Sequence, residues 1–186
     1  MNLHDHINNH ISAVRLLAEE RDSILALANR IVEVHKAHGT VYIFGNGGSA
    51  ADSQHFVGEL VGRFSIERTP LRAVCLNSDT SVITCIANDY SYENVFSRQV
   101  QAFATPKDLF IGFSTSAKSK NVIQALRIAK DLGAEAIMLT GNSASATCLS
   151  DLGKLQVMSS DTAIIQECQK VIIHAICYEV DRLINE

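Results

Sequence analysis

The N-terminal part of the chain has apolar residues at helical spacing. They recur three or four positions apart in two sets: Ile7, Ile11, Val14 and Leu17, then Ile24, Leu27, Ala28, Ile31 and Val34. Arg21-Asp22 lies between the two sets, so the pattern predicts either one bent helix or two helices over residues 3–38. We expect this apolar stripe to pack on the rest of the domain or on another copy of the chain.

After Gly39 the pattern changes to short apolar runs that alternate with helical stretches. The runs predict strands at 40–44, 71–76, 109–113, 136–140 and 155–158. The stretches between and after them predict helices at 50–61, 81–87, 92–104, 121–132, 144–149 and 162–185. Alternating strands and helices favour a parallel sheet with right-handed crossovers. We therefore expect an α/β fold, a three-layer α-β-α sandwich with a five-stranded, flavodoxin-like parallel sheet.

Length and composition narrow the class of protein. The chain has 186 residues, which favours a single domain, with residues 1–38 as a helical segment and 39–186 as the α/β core. Hydrophobic residues make up 47% and charged residues 19%, as is typical of globular proteins, and the net charge of −4 does not favour nucleic acid as a partner. There is no run of eighteen apolar residues and no signal-peptide core, so we expect no membrane span and a cytoplasmic protein.

The cysteines and the N-terminal histidines are interpreted as structural. The five cysteines show no C-x-x-C spacing and are predicted to be small, reduced, mostly buried residues: Cys75, Cys85, Cys148, Cys168 and Cys177. The histidines of the first helical region have a spacing that suits solvated helix faces rather than a metal site: His4, His6, His10, His35 and His38.

Two strand–loop–helix units carry residues that favour anion binding. Gly45–Ser49 reads Gly-Asn-Gly-Gly-Ser, and Ser114–Ser119 reads Ser-Thr-Ser-Ala-Lys-Ser. Glycines let the backbone approach a ligand, and hydroxyls at a helix N-terminus join free N–H groups in an anion cradle. Neither stretch is G-x-G-x-x-G or a Walker A motif. An ordinary Ser/Thr turn is the alternative, but two such loops at one sheet edge favour a phosphorylated small molecule.

Two helices carry side chains suited to proton transfer. His55 and Glu59 are four residues apart and share a helix face, so they can form an acid/base pair, half of a metal site or a simple hydrogen bond. Gln166 and His174 are eight residues apart, which places them about 12 Å apart along a helix and about 80° apart around it. If both serve one site, we expect them to come from two subunits. Alone, His174 also fits a core histidine.

Together these residues resemble the sugar isomerase (SIS) domain family, most closely its sedoheptulose 7-phosphate isomerases. The resemblance covers nearly the whole chain and rests on Gly45-Asn46-Gly47-Gly48-Ser49, His55-Phe56-Val57-Gly58-Glu59-Leu60 with Gly62-Arg63, Ala87-Asn88-Asp89, Phe96-Ser97-Arg98, Ser114-Thr115-Ser116 with Ser119-Lys120-Asn121-Val122, Leu139-Thr140-Gly141, and Gln166-Glu167 with His174.

The resemblance implies a role for each matching residue. The phosphate loop would comprise Ser114, Thr115, Ser116 and Ser119, with help from Ser49. Further substrate contacts would come from Asn46, Gly47, Gly48, Asn88, Asp89, Glu59 and Gln166. The acid/base pair would be Glu59 and His174. A zinc ion, where the family has one, would be held by His55, Glu59, Gln166 and His174. The family's members are homotetramers with active sites between subunits.

The implied reaction is an aldose–ketose isomerisation through an enediol, with Glu59 as base and His174 as acid. It would convert sedoheptulose 7-phosphate to D-glycero-D-manno-heptose 7-phosphate, the first step of nucleotide-activated heptose biosynthesis for lipopolysaccharide or capsule. Three alternatives stay open: a non-catalytic SIS protein that binds a replication initiator, an SIS isomerase of another ketose phosphate, and a metal-binding structural protein. The presence of Glu59 and His174 favours the enzyme over the first.

Two positions depart from the family's pattern. Its phosphate loop usually continues Ser-Gly-Asn-Ser, whereas this chain has Ser116-Ala117-Lys118-Ser119. Ala117 lacks the freedom of glycine at positive φ. The family also usually has an arginine before Ile-Gln-Glu, where this chain has Ile164. Neither departure removes a proposed catalytic group.

Overall fold

The computed structural model describes residues 2–143 and 149–185. Its helices in those ranges are α1 (Leu3–Leu16), α2 (Arg21–Lys36), α3 (Gly48–Val61), α4 (Thr80–Asp89), α5 (Ser97–Phe103), α6 (Lys120–Asp131) and α7 (Thr162–Ile184). Its strands are β1 (Val41–Gly45), β2 (Ala73–Cys75), β3 (Leu109–Ser114), β4 (Glu135–Gly141) and β5 (Gly153–Val157). Short 3-10 turns cover Leu17–Glu20 and Tyr92–Asn94.

The five strands form one parallel sheet in the order β2-β1-β3-β4-β5. This is the flavodoxin-like order, so the predicted fold class is confirmed. In the centre of the sheet, Gly45 at the end of β1 pairs with Phe113 near the end of β3. The loops that follow these two strands therefore leave the sheet side by side.

Apolar side chains alternate between the two faces of the sheet and create two cores. Ile43 and Ile111 belong to the core under α2, α3 and α7. Phe44 and Phe110 belong to the core under α4, α5 and α6. Because successive strand residues point to opposite faces, the continuous apolar runs of β1 and β3 can fill both cores at once. The result is the predicted three-layer sandwich.

The N-terminal segment consists of two helices that differ in burial. The break falls at the 3-10 turn Leu17–Glu20. The inner face of α2 is buried on the domain through residues that include Leu27, Ala28 and Ile31. Among the described residues Leu3–Leu16 of α1, only Ala13 is buried. The apolar side chains of Leu3, Ile7 and Ile11 are exposed. The segment packs on its own domain through α2, while most of the α1 stripe stays uncovered.

Several predicted boundaries differ from the structure. The helix predicted at 92–104 is instead the turn Tyr92–Asn94 followed by α5, because Asn94 bonds to Ser91 and its carbonyl accepts from Ser97. Such local side-chain bonds compete with helix formation. Helix α3 begins at Gly48, two residues earlier than predicted. The helix predicted at 144–149 lies almost entirely outside the described residues. Within the described ranges, no helix has the length and apolarity to cross a membrane.

Candidate active site

The loops after β1 and β3 meet at the point where the strand order reverses. In open parallel sheets this switch point forms a crevice that binds ligands. Here the two loops are joined directly, because the side-chain amides of Asn46 and Asn121 donate to each other at 2.9 Å. The hydroxyl of Tyr92 donates to Asn46 Oδ1 at 3.0 Å. We call this region the loop crevice.

Two glycines of the first loop are required by its geometry. Gly47 has φ +59°, which L residues with a side chain rarely adopt. A Cβ at Gly48 would lie 2.5 Å from Nε2 of Gln166. Gly48 therefore lets the first turn of α3 approach α7, and it brings Gln166 to the edge of the loop crevice. Ser49, in the same turn, is buried.

The hydroxyl loop after β3 leads directly into α6. Ser119 is the N-cap residue of α6, yet its hydroxyl makes no capping bond and instead lies 3.1 Å from the hydroxyl of Ser114. A helix N-terminus with hydroxyls beside it favours an anion. Thr115 is half-buried and Ser116 is exposed beside them. Ala117 has φ +53°, so this position does adopt the conformation that favours the family's glycine.

The predicted sugar-binding pair, Asn88 and Asp89, lies exposed at the C-terminal end of α4. Asn88 donates to Asp89 at 2.9 Å, and the thiol of Cys85 donates to the same carboxylate. The hydrogen bond from Asn88, followed by that from Cys85, lowers the pKa of Asp89. The described hydrogen bonds of this pair are thus with each other and with Cys85, and not with the loop crevice.

A second cluster lies further along α3, where that helix packs against α7. His55 Nε2 is 3.0 Å from Glu59 Oε1 and 3.2 Å from His174 Nε2. The rings of His55 and His174 have centroids 5.1 Å apart, and Phe64 stacks on His174 at 5.6 Å. All three polar side chains are partly exposed. We call these three residues the His–Glu cluster, and it brings a carboxylate and two imidazoles together within one chain.

The donor atoms of the His–Glu cluster suit a metal ion. One ligand atom each from His55, Glu59 and His174 lies within 4.8 Å of the other two. Two imidazoles and a carboxylate are a common zinc ligand set. Gln166, the fourth predicted ligand, is instead placed against Gly48, about 12 Å along α7 from His174 by helix rise. The structure therefore brings together three of the four predicted ligands within a chain.

A buried ion pair ties the end of α3 to α7 below the His–Glu cluster. Arg68 Nε lies 2.8 Å from Asp181 Oδ1, and both side chains are almost fully buried. Arg68 also donates from Nη2 to the backbone carbonyl of Glu59 at 2.8 Å. Burial opposes the charged form of Asp181, but hydrogen bonds from Arg68 and Ser65 outweigh it and lower the pKa of Asp181. The backbone that carries Glu59 is thus fixed relative to α7.

Some residues of the site were not among the predictions. Asn121 belongs to the motif Ser119-Lys120-Asn121-Val122, and its buried amide joins the two loops. Tyr92 had no sequence signal, because its role depends on a turn that was predicted as helix. Arg68 and Asp181 were also missed, since a buried pair 113 residues apart has no local pattern.

The cysteines are mostly as predicted. Cys75, Cys168 and Cys177 are buried and unpaired, and burial raises the pKa of the Cys177 thiol to about 12. Cys85 differs, because it is exposed on α4. Cys148 lies outside the described residues.

The fold, the loop crevice and the His–Glu cluster define a class of protein, an α/β domain with hydroxyl-rich and Gly-rich loops at its switch point and acid/base side chains on its helices. A family model for the SIS domain matches residues 5–141. The chain is 48% identical over 160 residues to a probable phosphoheptose isomerase of Thermoplasma acidophilum, which covers 86% of this chain and 88% of that protein. It is 46% identical to the phosphoheptose isomerase of Trichlorobacter lovleyi, with coverage of 88% and 83%. The chain belongs to the SIS-domain family, among its phosphoheptose isomerases.

Solved structures agree with this placement. The phosphoheptose isomerase of Neisseria gonorrhoeae superposes with a TM-score of 0.89 at 34% identity, over 97% of each chain. That of Francisella tularensis gives a TM-score of 0.84 at 32% identity, over 98% of this chain and all of the other. More distant matches, such as a Vibrio vulnificus NanR protein at 12% identity and a TM-score of 0.67, share the fold alone.

Proposed function

We propose that this protein is an aldose–ketose isomerase that converts sedoheptulose 7-phosphate to D-glycero-D-manno-heptose 7-phosphate in the cytoplasm. The observation that carries the proposal is the His–Glu cluster. In it, the carboxylate of Glu59 and the imidazole of His174 both lie within hydrogen-bonding distance of His55. An isomerase needs such a pair to move a proton between adjacent carbons. The names of the similar proteins support the same substrate class.

The loop crevice provides the binding half of the site. The hydroxyls of Ser114 and Ser119, with the N-terminus of α6, hold the phosphate, and Thr115, Ser116 and Ser49 line the same pocket. The first loop, with Asn46, Gly47 and Gly48, contacts the sugar chain, helped by Gln166 at its edge. Asn88 and Asp89 add further contacts to the sugar.

Glu59 and His174 provide the chemical half of the site. Glu59 removes a proton from C1 of the open-chain ketose while His174 donates a proton to the oxygen of the C2 carbonyl, which gives the 1,2-enediol. A proton then returns to C2 and the hydroxyl on C1 loses its proton, which gives the aldose. Charge and atoms balance, because each proton removed from the sugar is replaced at the neighbouring position.

The His–Glu cluster is also where a zinc ion would be held, by His55, Glu59 and His174 with Gln166. When bound, zinc would polarise the carbonyl and stabilise developing negative charge. The position of Gln166 beside Gly48 fits a fourth ligand donated by another subunit better than one from the same chain.

The separation of the two halves favours a site shared between subunits. By helix rise, Glu59 lies about 16 Å beyond Gly48 along α3. An extended heptulose 7-phosphate spans only about 9 Å from C1 to phosphorus, at the advance per bond of an extended chain. The rise along α3 exceeds that span, which favours a substrate held by the loop crevice of one chain and the His–Glu cluster of another. We infer a homo-oligomer, a tetramer as in the resembling family, with the loops of one subunit facing the cluster of another.

Exposed apolar surface supports such an assembly. The stripe of Leu3, Ile7 and Ile11 on α1 is uncovered. An open groove of about 490 Å³ between α2 and α7 is lined mainly by apolar side chains, which include the exposed Val171 and Tyr178. Contiguous apolar surface of this kind is typical of protein interfaces.

The first test is a panel of ketose phosphates assayed with metal-free and zinc-loaded protein. We expect turnover of sedoheptulose 7-phosphate and little or none of hexulose or pentulose phosphates. Preference for a shorter ketose phosphate would make the protein an SIS isomerase of another substrate. Absence of turnover in both metal states, combined with capture of a replication initiator, would make it a non-catalytic SIS protein.

A complementation experiment tests the shared site. Glu59→Gln protein and a Ser114→Ala/Ser119→Ala double variant are each expected to be nearly inactive. After the two are mixed, dissociated and reassembled, about a quarter of the sites would combine an intact loop crevice with an intact His–Glu cluster if pairing is random. Each variant reassembled alone is the control. If the mixture gains no activity, both halves belong to one chain.

A further inference from the structure

A second group of metal-ligating side chains lies outside the His–Glu cluster, between α1 and α7. His6 and His10 are one turn apart on α1, and Glu167 reaches them from α7. One ligand atom from each of the three lies within 4.8 Å of the other two. His10 Nδ1 is 2.6 Å from Glu167 Oε2, and the rings of His6 and His10 have centroids 5.7 Å apart.

We propose that His6, His10 and Glu167 form a second zinc site, distinct from the His–Glu cluster. Two histidines four residues apart on a helix present their rings on one face, which is the spacing used by zinc-binding helices. With a carboxylate they complete a His₂Glu set, and three protein ligands leave a fourth position for water.

A simple ion pair accounts for only part of this arrangement. It would explain His10 and Glu167, although a partly exposed pair of this kind stabilises a protein little. It leaves the position of His6 unexplained, since the ring of His6 meets His10 edge-on within reach of the same point. A zinc ion uses all three side chains. Imidazole nitrogen and carboxylate oxygen also favour zinc over calcium or magnesium, which prefer all-oxygen sites.

The site would anchor the least buried helix of the fold. Ala13 is the described buried residue of α1, and its apolar side chains point mainly to solvent. A metal bound by two residues of α1 and one of α7 would fix α1 on α7. Glu167 directly follows Gln166, so the second site lies next to the edge of the loop crevice.

The sequence predicts that His6 and His10 lie on a solvated helix face, because it does not show that Glu167 lies beside them. The spacing of the two histidines is visible in the sequence, but Glu167 is 157 residues beyond His10 and becomes their neighbour only when α7 packs on α1.

Zinc uptake by purified full-length protein tests the proposal. The background is His55→Ala/His174→Ala, which removes both imidazoles of the His–Glu cluster. Metal-free protein is titrated with zinc by calorimetry, and with cobalt to follow visible absorption. We expect one metal ion per chain in this background. Adding His10→Ala should abolish binding, and adding Glu167→Gln should weaken it by at least about tenfold, the scale seen when metal sites lose supporting groups.

The matched control is His4→Ala, which removes an exposed histidine of the same helix that pairs with Asn8 rather than with Glu167. Binding should be unchanged by this substitution. Absence of metal uptake in the background, or uptake that survives His10→Ala, would overturn the proposal, as would equal loss in His4→Ala. If the background variant does not fold, the zinc content of the original protein is compared with that of His10→Ala. We expect the original protein to bind one more zinc ion per chain. Equal zinc contents would overturn the proposed site.

Hydrogen exchange gives a second readout that does not depend on activity. Zinc should slow amide exchange in residues 3–16, because α1 becomes fixed to α7. The same addition should leave exchange in those residues unchanged in the His10→Ala variant. Equal slowing in both proteins would show that zinc acts on α1 from another site.

Discussion

The loop crevice and the His–Glu cluster are built in different ways. The crevice consists of backbone turns that directly follow two adjacent strands, with Gly47 and Ser119 within a few residues of a strand end. The cluster consists of side chains from two helices, and His55 and His174 are 119 residues apart. The geometry of the crevice is therefore local in this fold, whereas the geometry of the His–Glu cluster depends on how α3 packs against α7.

The two regions also differ in what holds them. The crevice is joined by the paired amides of Asn46 and the buried Asn121 at the carboxyl edge of the sheet. The cluster rests on the buried pair of Arg68 and Asp181 and on the bond from Lys170 to the buried Asp52 at 2.6 Å. Changes in the cluster or its supports should thus affect turnover and stability most, and changes in the crevice should affect binding.

The largest effect is expected from Glu59→Gln. Glutamine keeps the shape and a hydrogen-bonding oxygen but cannot accept the C1 proton, so kcat should fall by about 10²–10⁴-fold. Binding of the sugar phosphate by calorimetry should change little, because the phosphate is held by the loop crevice. Glu67→Gln, at an exposed position beyond α3, is the control and should keep full activity. Near-normal turnover by Glu59→Gln would show that Glu59 is not the base.

Arg68→Met should cause the largest loss of stability. It leaves Asp181 buried without its cation, which costs about 3–5 kcal/mol in the free energy of unfolding. The matched control is Arg127→Met, which breaks the exposed pair with Asp151 and should cost far less, because solvent screens that pair. Urea denaturation measures both. Similar losses in the two variants would mean that the pair does not anchor α3 to α7.

The stability supplied by Asp181 should depend on pH in a defined direction. The pKa of Asp181 is lower in the folded protein than in the unfolded chain, so the unfolded chain binds the proton first as the pH falls. Its contribution is complete above the unfolded aspartate pKa of about 3.9 and is lost as the pH falls through the folded pKa. The difference between native protein and Asp181→Asn in urea titrations should therefore shrink in acid. If the difference in the free energy of unfolding between the two proteins grew towards low pH, the pKa of Asp181 would be raised in the folded protein and not lowered.

Ser119→Ala should weaken binding with a smaller effect than the changes above. The lost hydrogen bond to a charged phosphate is worth about 1.5–3 kcal/mol, which corresponds to a rise in KM of about 10–100-fold with kcat nearly unchanged. Ser12→Ala, which removes a hydroxyl bonded within α1, serves as control. A fall in kcat at unchanged KM would place Ser119 in the chemical step instead.

The smallest effect is expected from Ala117→Gly, which introduces the glycine expected at this position from the family resemblance. Alanine at φ +53° costs about 1–2 kcal/mol, and glycine relieves this while losing a buried methyl group. We expect a net gain of less than about 1 kcal/mol in the free energy of unfolding, measured by thermal denaturation. Ala129→Gly, in the buried face of α6 with helical backbone, should instead destabilise. Destabilisation of the same size in both variants would mean that position 117 carries no strain.

Much of the fold was predictable because its signals are local. Apolar runs separated by helical periods gave all five strands to within a few residues, although β2 is shorter than its apolar run and 92–104 is not one helix. The loop residues of the crevice were also predictable, since Gly, Asn and Ser at strand ends have local conformational reasons. Tyr92 was missed because its position depends on the turn that replaces the predicted helix.

The sequence by itself determined the parallel α/β sandwich, the two Gly-rich and Ser-rich loops at one sheet edge and the types of acid/base residue that the chain offers. Only the tertiary structure decided which of those residues meet. It placed Glu59 with His55 and His174, kept Gln166 at Gly48, and brought Glu167 to His10. The physical reason is that strand periodicity and loop chemistry arise from neighbours in the chain. The contacts of α7 with α1 and α3 arise from helix packing across more than one hundred residues.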